Sequence, residues 1–333
     1  MSEALGRSGI LLIDKPAGIT SHDVVARTRK RAGTRKVGHA GTLDPMATGL
    51  LVLGINNSTR LLTYLVGLDK EYFATIRLGS ATNTDDAQGE PIGVVDRARV
   101  DALTEATVSA ALTPLRGAIS QVPSSVSAIR VDGKRAYTLV REGETVELAP
   151  RSVAVSALEV LHSRREGAFY DLDVRVRCSS GTYIRAIARD LGAALGVGGH
   201  LTALRRSMIG PFSVADAAEL ESLDVAAALL PPAEIATALF PVFALDCDQA
   251  VDLGHGKRLV AQRPEGPPGP IAAIAPDGRL VGLVQFADGI GTPIVNFAPD
   301  VLKEPVRAEE PASVKEQFST QQSDLPSIPV ENA

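Results

Sequence analysis

The sequence predicts an α+β fold built on a mixed β-sheet. Apolar runs of strand length occur at residues 9–13, 50–54, 72–78 and 172–178, and amphipathic helical patterns fall between them irregularly. The regular strand and helix alternation of a doubly wound parallel sheet is missing, which favours helices packed on a mixed sheet.

In chain order, residues 9–13 (GILLI) read as a strand, and Ser21 can cap a helix running through Arg31. Strands follow at 50–54 and 72–78. Residues 100–115 carry apolar side chains at helical spacing. In 172–178 the alternation is clear, and it places Asp171, Asp173, Arg175 and Arg177 on one side. A helix over 182–195 aligns Ile184, Ile187, Ala188, Leu191 and Leu195, and Gly196 closes it. After residue 235 the texture changes. Residues 240–245 read as a strand, 263–270 as a Pro/Gly-rich loop, and 271–297 as apolar runs broken by turn signals at Pro276-Asp277-Gly278 and Asp288-Gly289. From Lys303 onward, four prolines and scattered charge predict disorder. The expected organisation is a catalytic domain over 1–235, a small β-rich domain over 236–302 and an acidic tail over 303–333.

Composition narrows the function classes. The 333 residues are 45% hydrophobic, enough for a sizeable core, and no uncharged apolar stretch reaches the length of a membrane span. The opening stretch MSEALGRSGILLIDK lacks the long apolar centre of a signal peptide. Cys178 and Cys247 have no metal-ligand spacing, so neither a disulfide framework nor a zinc site is expected and a reducing cytoplasm fits. The net charge of −5 hides an asymmetry: residues 1–70 hold ten Lys/Arg against five Asp/Glu, whereas 301–333 hold three against six. Six of those ten are Arg27, Arg29, Lys30, Arg31, Arg35 and Lys36, a cluster that can bind phosphates despite an acidic total, or can be a solvated helix face.

Directly after that cluster comes GHAGTLDPMATGL, residues 38–50, which sets one carboxylate, Asp44, among small and apolar residues. Pro45 biases Asp44 toward an extended backbone, and Gly41 and Gly49 permit turns or close backbone approach. Either the carboxylate is aimed at a site, or it caps a turn ahead of a helix. Four further segments accompany it: Lys15-Pro16, Lys70-Glu71-Tyr72, GTYIR at 181–185, and HLTALRR at 200–206.

Together, from about Gly9 to Pro211, these segments resemble the TruB-type pseudouridine synthases that act on uridine 55 of bacterial tRNA. The resemblance implies a mainly antiparallel mixed sheet and a small PUA-like barrel at the carboxy terminus. It also implies roles: Asp44 as catalytic carboxylate, Arg185 as its partner, Tyr72 stacked on the target uracil, and His39 entering the displaced RNA loop. Tyr183 and Leu204 fall at contacts to the flipped nucleotide, with Lys15 as a further substrate contact and Asp86 as partner for a pocket arginine. The basic cluster, with Arg205 and Arg206, would hold phosphates. The family pattern is departed from at Val126, where an aromatic residue is common, and at Asn83, where an acid is expected.

The chemistry fits these residue types. Moving uracil from N1 to C5 attachment is an isomerisation that needs no cofactor, metal or group donor. It needs a nucleophile, a pocket and a base flipped out of its stack. A buried carboxylate tends to protonate, and a guanidinium in contact favours the charged form, so Arg185 is expected to pair with Asp44. Attack at the sugar C1′, removal of a ribose proton and addition to the uracil ring all remain open for Asp44. Tyr72 is also a conceivable general base when the C5 proton leaves. The expected partner is the T-arm of tRNA, with a monomeric protein, no membrane and no obligate protein partner. Competing readings are an RNA chaperone without chemistry, a guide-RNA-dependent synthase, and a glycosidase, which lacks a second carboxylate motif.

Overall fold

The computed structural model describes residues 6–93, 96–124, 130–131, 134–135 and 148–300; Val126 and the tail lie outside these residues. A ten-stranded sheet organises the chain. Its order is Ala218–Glu219, Gly9–Lys15, Thr48–Ile55, Gly199–Ile209, Lys70–Leu78, Phe169–Cys178, Arg151–Glu166 and Gly117–Gln121. Val37–Ala40 adds beside Thr48–Ile55, and Phe212–Ser213 beside Gly199–Ile209. Gly9–Lys15 runs parallel to Ala218–Glu219 and Thr48–Ile55 parallel to Gly199–Ile209, while the remaining pairs are antiparallel. The sheet is mixed and mainly antiparallel.

Its two halves explain two textures in the sequence. Strands Gly9–Lys15 and Thr48–Ile55 are covered on both faces and read as nearly unbroken apolar runs. One face shares a core with Val24, Val25 and Ile187, and the other meets Ile235, Leu280, Leu283 and Phe297 from the carboxy-terminal region. Strands Lys70–Leu78 and Phe169–Cys178 have one apolar face under the Ile184–Ala194 helix and one face of charged side chains, so they alternate. Asp171 accepts two hydrogen bonds from Arg77 at 2.8 and 2.7 Å on that charged face.

Helix boundaries follow local chemistry. The first helix spans Ser21–Ala32, but Thr20 caps it through a reciprocal box with Asp23. Ser21 is buried instead, with its hydroxyl donating to the Leu43 carbonyl at 3.1 Å and accepting from the Leu43 N–H at 2.9 Å. The helix is thereby tied to the residue before Asp44. The single helix expected over 100–115 is broken into Arg97–Asp101, Glu105–Leu112 and a 3-10 turn at Thr113–Leu115. Thr104 starts a new capping box and Pro114 ends the α-helical run.

At the carboxy-terminal end, Val242–Ala244, Ile271–Ile274, Leu280–Ala287, Ile290–Asn296 and Leu259–Val260 form a five-stranded sheet, with turns where Pro276-Asp277-Gly278 and Asp288-Gly289 lie. This is the β-rich region expected there.

One glycine sets how closely the parallel pair approaches. Gly49 has φ +101°, and a Cβ there would meet the Arg206 carbonyl oxygen at 2.2 Å. Gly49→Ala should lower unfolding free energy by more than about 1 kcal/mol, the strain of the backbone conformation alone. The urea midpoint checks this.

Candidate active site

Asp44 opens a tight turn, with its carbonyl accepting from the Ala47 N–H at 3.1 Å, and the chain then enters strand Thr48–Ile55. No helix follows, so the carboxylate is not a helix cap. The turn is fastened from behind: the Pro45 carbonyl accepts from the Gly18 N–H at 2.8 Å and from Lys15 Nζ at 3.3 Å. Lys15 also donates to the carbonyls of Pro16 and Ile19, at 2.9 and 2.8 Å, and is fully buried. Burial pushes its pKa down to about 8. Lys15, expected as a substrate contact, thus has its ammonium directed at carbonyls beneath the turn.

Arg185 stands one position inside the Ile184–Ala194 helix and is only 3% exposed. Its Nε lies 2.9 Å from Asp44 Oδ2, while Nη1 donates to the Thr84 carbonyl at 2.9 Å and lies 3.5 Å from Asp86 Oδ2. One buried guanidinium thus joins two carboxylates and a carbonyl, as its planar fork permits. Asp86 is the partner for the pocket arginine, and it is itself held by Thr84 Oγ1 at 2.7 Å and the Gln88 N–H at 3.0 Å. It does not line the cavity. Asn83, where an acid was expected, closes this loop by accepting from the Glu90 N–H at 3.0 Å.

The Asp44 carboxylate faces a cavity of about 270 Å³ whose lining includes Tyr72, Tyr183, Leu204, Arg206, Lys70, Val66 and the loop Ser179–Thr182. Burial pushes the Asp44 carboxyl above the usual carboxylate range, and Asp86 adds to that shift. Arg185, and more weakly Lys15, pull it back. Burial also raises the Tyr72 phenol above its ordinary value, with the positive charge of the nearby Arg206 as the main opposing influence. Tyr72 is thus held protonated, better suited to stacking and donating a hydrogen bond than to acting as a base from the outset.

Arg206, expected among the phosphate contacts, lines the cavity but is held inside the protein. It is 1% exposed, and its guanidinium donates to the carbonyls of Leu50, Gly41 and Thr42 at 2.8, 3.0 and 3.4 Å, binding the two ends of the aspartate motif together. Arg205, on the opposite side of the strand, forms a two-point pair with Asp14 at 3.0 and 2.6 Å. Three arginines of the basic cluster are likewise engaged within the protein: Arg27 with Glu221 at 2.6 Å, Arg29 with the Val37 carbonyl at 2.9 Å, and Arg31 with the carbonyls of Leu223 and Glu221. Lys30, Arg35 and Lys36 are exposed and make no ion pair among the described residues. His39 lies outside the cavity lining, on strand Val37–Ala40, edge-to-face with His22 at 5.5 Å.

Two residues at the site were given no role by the sequence reading. Lys70 lines the cavity, donates to the Val66 carbonyl at 2.6 Å and to the Leu68 carbonyl, and is pushed by burial to about 8. Gln121 grips the backbone of Tyr183. A buried lysine beside the motif tyrosine is visible in the sequence as Lys70; nothing local announces Gln121.

Among the described residues there is no group of three or more His, Cys, Asp or Glu able to hold a metal ion, and no helix long and apolar enough to cross a membrane. The fold is shared with a solved structure described as "Crystal Structure of a Cbf5-Nop10-Gar1 Complex", at 25% identity and a TM-score of 0.63, over 89% of this chain and 85% of that one. The chain belongs to the TruB pseudouridylate synthase family. The model of the "TruB family pseudouridylate synthase (N terminal domain)" matches residues 29–184, and two carboxy-terminal models match 185–244 ("tRNA pseudouridylate synthase B C-terminal domain") and 240–298 ("tRNA Pseudouridine synthase II, C terminal"). A protein of Leifsonia xyli subsp. xyli named "tRNA pseudouridine synthase B" is 60% identical over 88% of this chain and 97% of its own length, and one of the same name from Thermobifida fusca is 53% identical over 87% and 98%. The protein is accordingly a pseudouridine synthase, an isomerase that binds and modifies tRNA.

The two adjacent arginines give a direct test of their different settings. Removing the buried cation leaves three carbonyls unsatisfied, so Arg206→Met should cost about 3 kcal/mol or more. For the half-exposed pair, Arg205→Met should cost at most about 1 kcal/mol. Urea denaturation of both variants provides the comparison.

Proposed function

We infer that this enzyme isomerises uridine 55 in the T-loop of tRNA to pseudouridine, with Asp44 as the carboxylate on which cleavage of the N1–C1′ bond and formation of the C1′–C5 bond depend. The observation that carries the reading is the placement of Asp44, 2.9 Å from buried Arg185, at a cavity walled by Tyr72 and Tyr183. The reaction is internally balanced: the N1–C1′ bond breaks, C5 bonds to C1′, C5 loses a proton and N1 gains one. Nothing is added or oxidised.

In this reading the target base leaves the RNA stack and enters the cavity between the tyrosine rings, with Leu204 as apolar floor. Arg185 keeps Asp44 ionised against the pull of burial, and Asp86 holds Arg185 from behind. His39 occupies the gap the base leaves. Lys30, Arg35 and Lys36 supply the phosphate contacts, since Arg27, Arg29 and Arg31 are already committed to protein groups. The functional division is a catalytic part over 1–235 and a smaller part over 236–302, acting as a cytoplasmic monomer without guide RNA or cofactor.

Pure protein with unmodified, guide-free tRNA transcript tests the reading. Wild type should form pseudouridine, and Asp44→Asn should form none while keeping tRNA affinity. Binding without modification by either would leave the chaperone or guide-dependent readings standing. The pH profile carries a second expectation. Because the Asp44 carboxyl sits above the usual carboxylate range, activity is present above its pKa and lost as pH falls through it; the acid limb of kcat/KM should lie above the ordinary carboxylate value. Neutralising Lys30, Arg35 and Lys36 one at a time should weaken tRNA binding and reduce the slope of log K against log salt by about 1 per residue.

A further inference from the structure

Gln121 ends the edge strand Gly117–Gln121 and is 2% exposed. A buried carboxamide needs partners at both its ends. Its Oε1 accepts from the Tyr183 N–H at 2.8 Å, and its Nε2 donates to the Tyr183 carbonyl at 3.0 Å. The side chain thus takes the part of a neighbouring strand's peptide unit, extending the edge of the sheet to a residue 62 positions away. That residue immediately precedes the Ile184–Ala194 helix, and its own side chain makes no capping hydrogen bond there.

A second clamp lies one turn further along. The carbonyl of Val122 accepts from Arg189 Nη2 at 2.7 Å, and Arg189 Nη1 reaches Asp85 at 3.3 Å. Arg185 and Arg189 are four residues apart on one helix face, and both run into the same acidic loop. The start of the helix is therefore held at two levels, by Gln121 at the Tyr183 backbone and by the Val122 carbonyl at Arg189.

We propose that Gln121 is a positioning residue for the reaction: its carboxamide sets the backbone at Tyr183, and through it the wall made by the Tyr183 ring and the placement of Arg185 against Asp44. It touches neither Asp44 nor the cavity. The inference rests on the reading of Asp44 given above and adds what holds that pair in register. Reacting groups tolerate little displacement, so a small rotation of the helix start is felt at the chemical step before it is felt in binding.

Two variants test this. Gln121→Met keeps length and approximate volume and removes both hydrogen bonds. Gln121→Glu keeps the acceptor, and offers the second donor only when the new carboxyl is protonated; ionised, it faces the Tyr183 carbonyl oxygen. For Gln121→Met, the single-turnover rate of pseudouridine formation should fall about ten- to a hundredfold with tRNA affinity within about twofold of wild type. The Asp44 carboxyl, followed by carbon-13 NMR, should titrate at higher pH because Arg185 opposes its protonation less closely. For Gln121→Glu, the rate relative to wild type at the same pH should rise as pH falls. A wild-type rate and an unmoved Asp44 titration in Gln121→Met would overturn the proposal. Should that variant fail to fold, a rate ratio for Gln121→Glu that is flat with pH overturns it equally. The NMR titration needs no turnover, so a wild type inactive on tRNA with an Asp44 carboxyl that still shifts in Gln121→Met would remove the proposed function and leave the positioning role in place.

Discussion

A buried arginine is the constraint around which this site is built. Arg185 is almost wholly removed from water, and a guanidinium so placed must be matched by acceptors along its full fork. Asp44 lies at its Nε, and Asp86 and the Thr84 carbonyl lie at its Nη1, so the aspartate motif and the acidic loop must be delivered by the fold to the same point. The turn of the aspartate motif is pinned by Lys15 from below and by Ser21 from the side. The acidic loop carries Asp85 at φ +60°, a left-handed backbone that is uncommon outside glycine, and hands its carbonyl to the Leu201 N–H at 3.0 Å. Local strain of this kind persists where the surroundings over-determine it.

The sheet divides its labour by face. On the inner face, Tyr72, Leu204 and Arg206 line the cavity from adjacent strands, with Tyr72 directly opposite Arg206 in register. On the outer face, Glu71 accepts from Arg175 at 2.9 Å, from Arg177 at 2.6 Å and from Ser207 at 2.9 Å, locking those two strands to each other and to Phe169–Cys178. The register shifts by one residue between Arg206 and Met208, beside Glu71. A bulge re-aims the side chains around it. Glu71 and Tyr72 are consecutive, so the polar lattice outside and the cavity inside are fixed by one stretch of strand.

Much of this was legible in the sequence, for identifiable reasons. Gly38 to Leu50 singled out the carboxylate because a charge among glycine, alanine and proline is unusual, the family resemblance put Arg185 beside it, and the cost of burying a carboxylate made that pairing physically sensible. The doubly covered strands showed as apolar runs and the half-open ones as alternation. The strand Arg151–Glu166 gave no such signal: its residues alternate only in the first half, and two bulges, at Val155/Ala157 and Val160/His162, break the period that would reveal it. Gly199–Ile209 was hidden for the same reason, since its bulges turn a central strand into the irregular HLTALRRSMI. Gln121 was illegible because its role lies in a contact across 62 residues, which neither propensity nor period records.

The basic residues differ in setting far more than their charge suggests. Arg205 and Arg206 are neighbours in sequence, and the pleat of a strand sends neighbours to opposite faces. One pairs with Asp14 at the surface; the other is sealed among the carbonyls of the aspartate motif. Within the cluster between Arg27 and Lys36, helix geometry turns Arg27 and Arg31 toward the segment at 221–223, while Lys30 and the residues past the helix end stay exposed. A tally of positive charge treats all eight residues alike. The fold engages five of them with its own carboxylates and carbonyls, and three, Lys30, Arg35 and Lys36, stay exposed without an ion pair among the described residues, which is why the proposed function gives the phosphates to them.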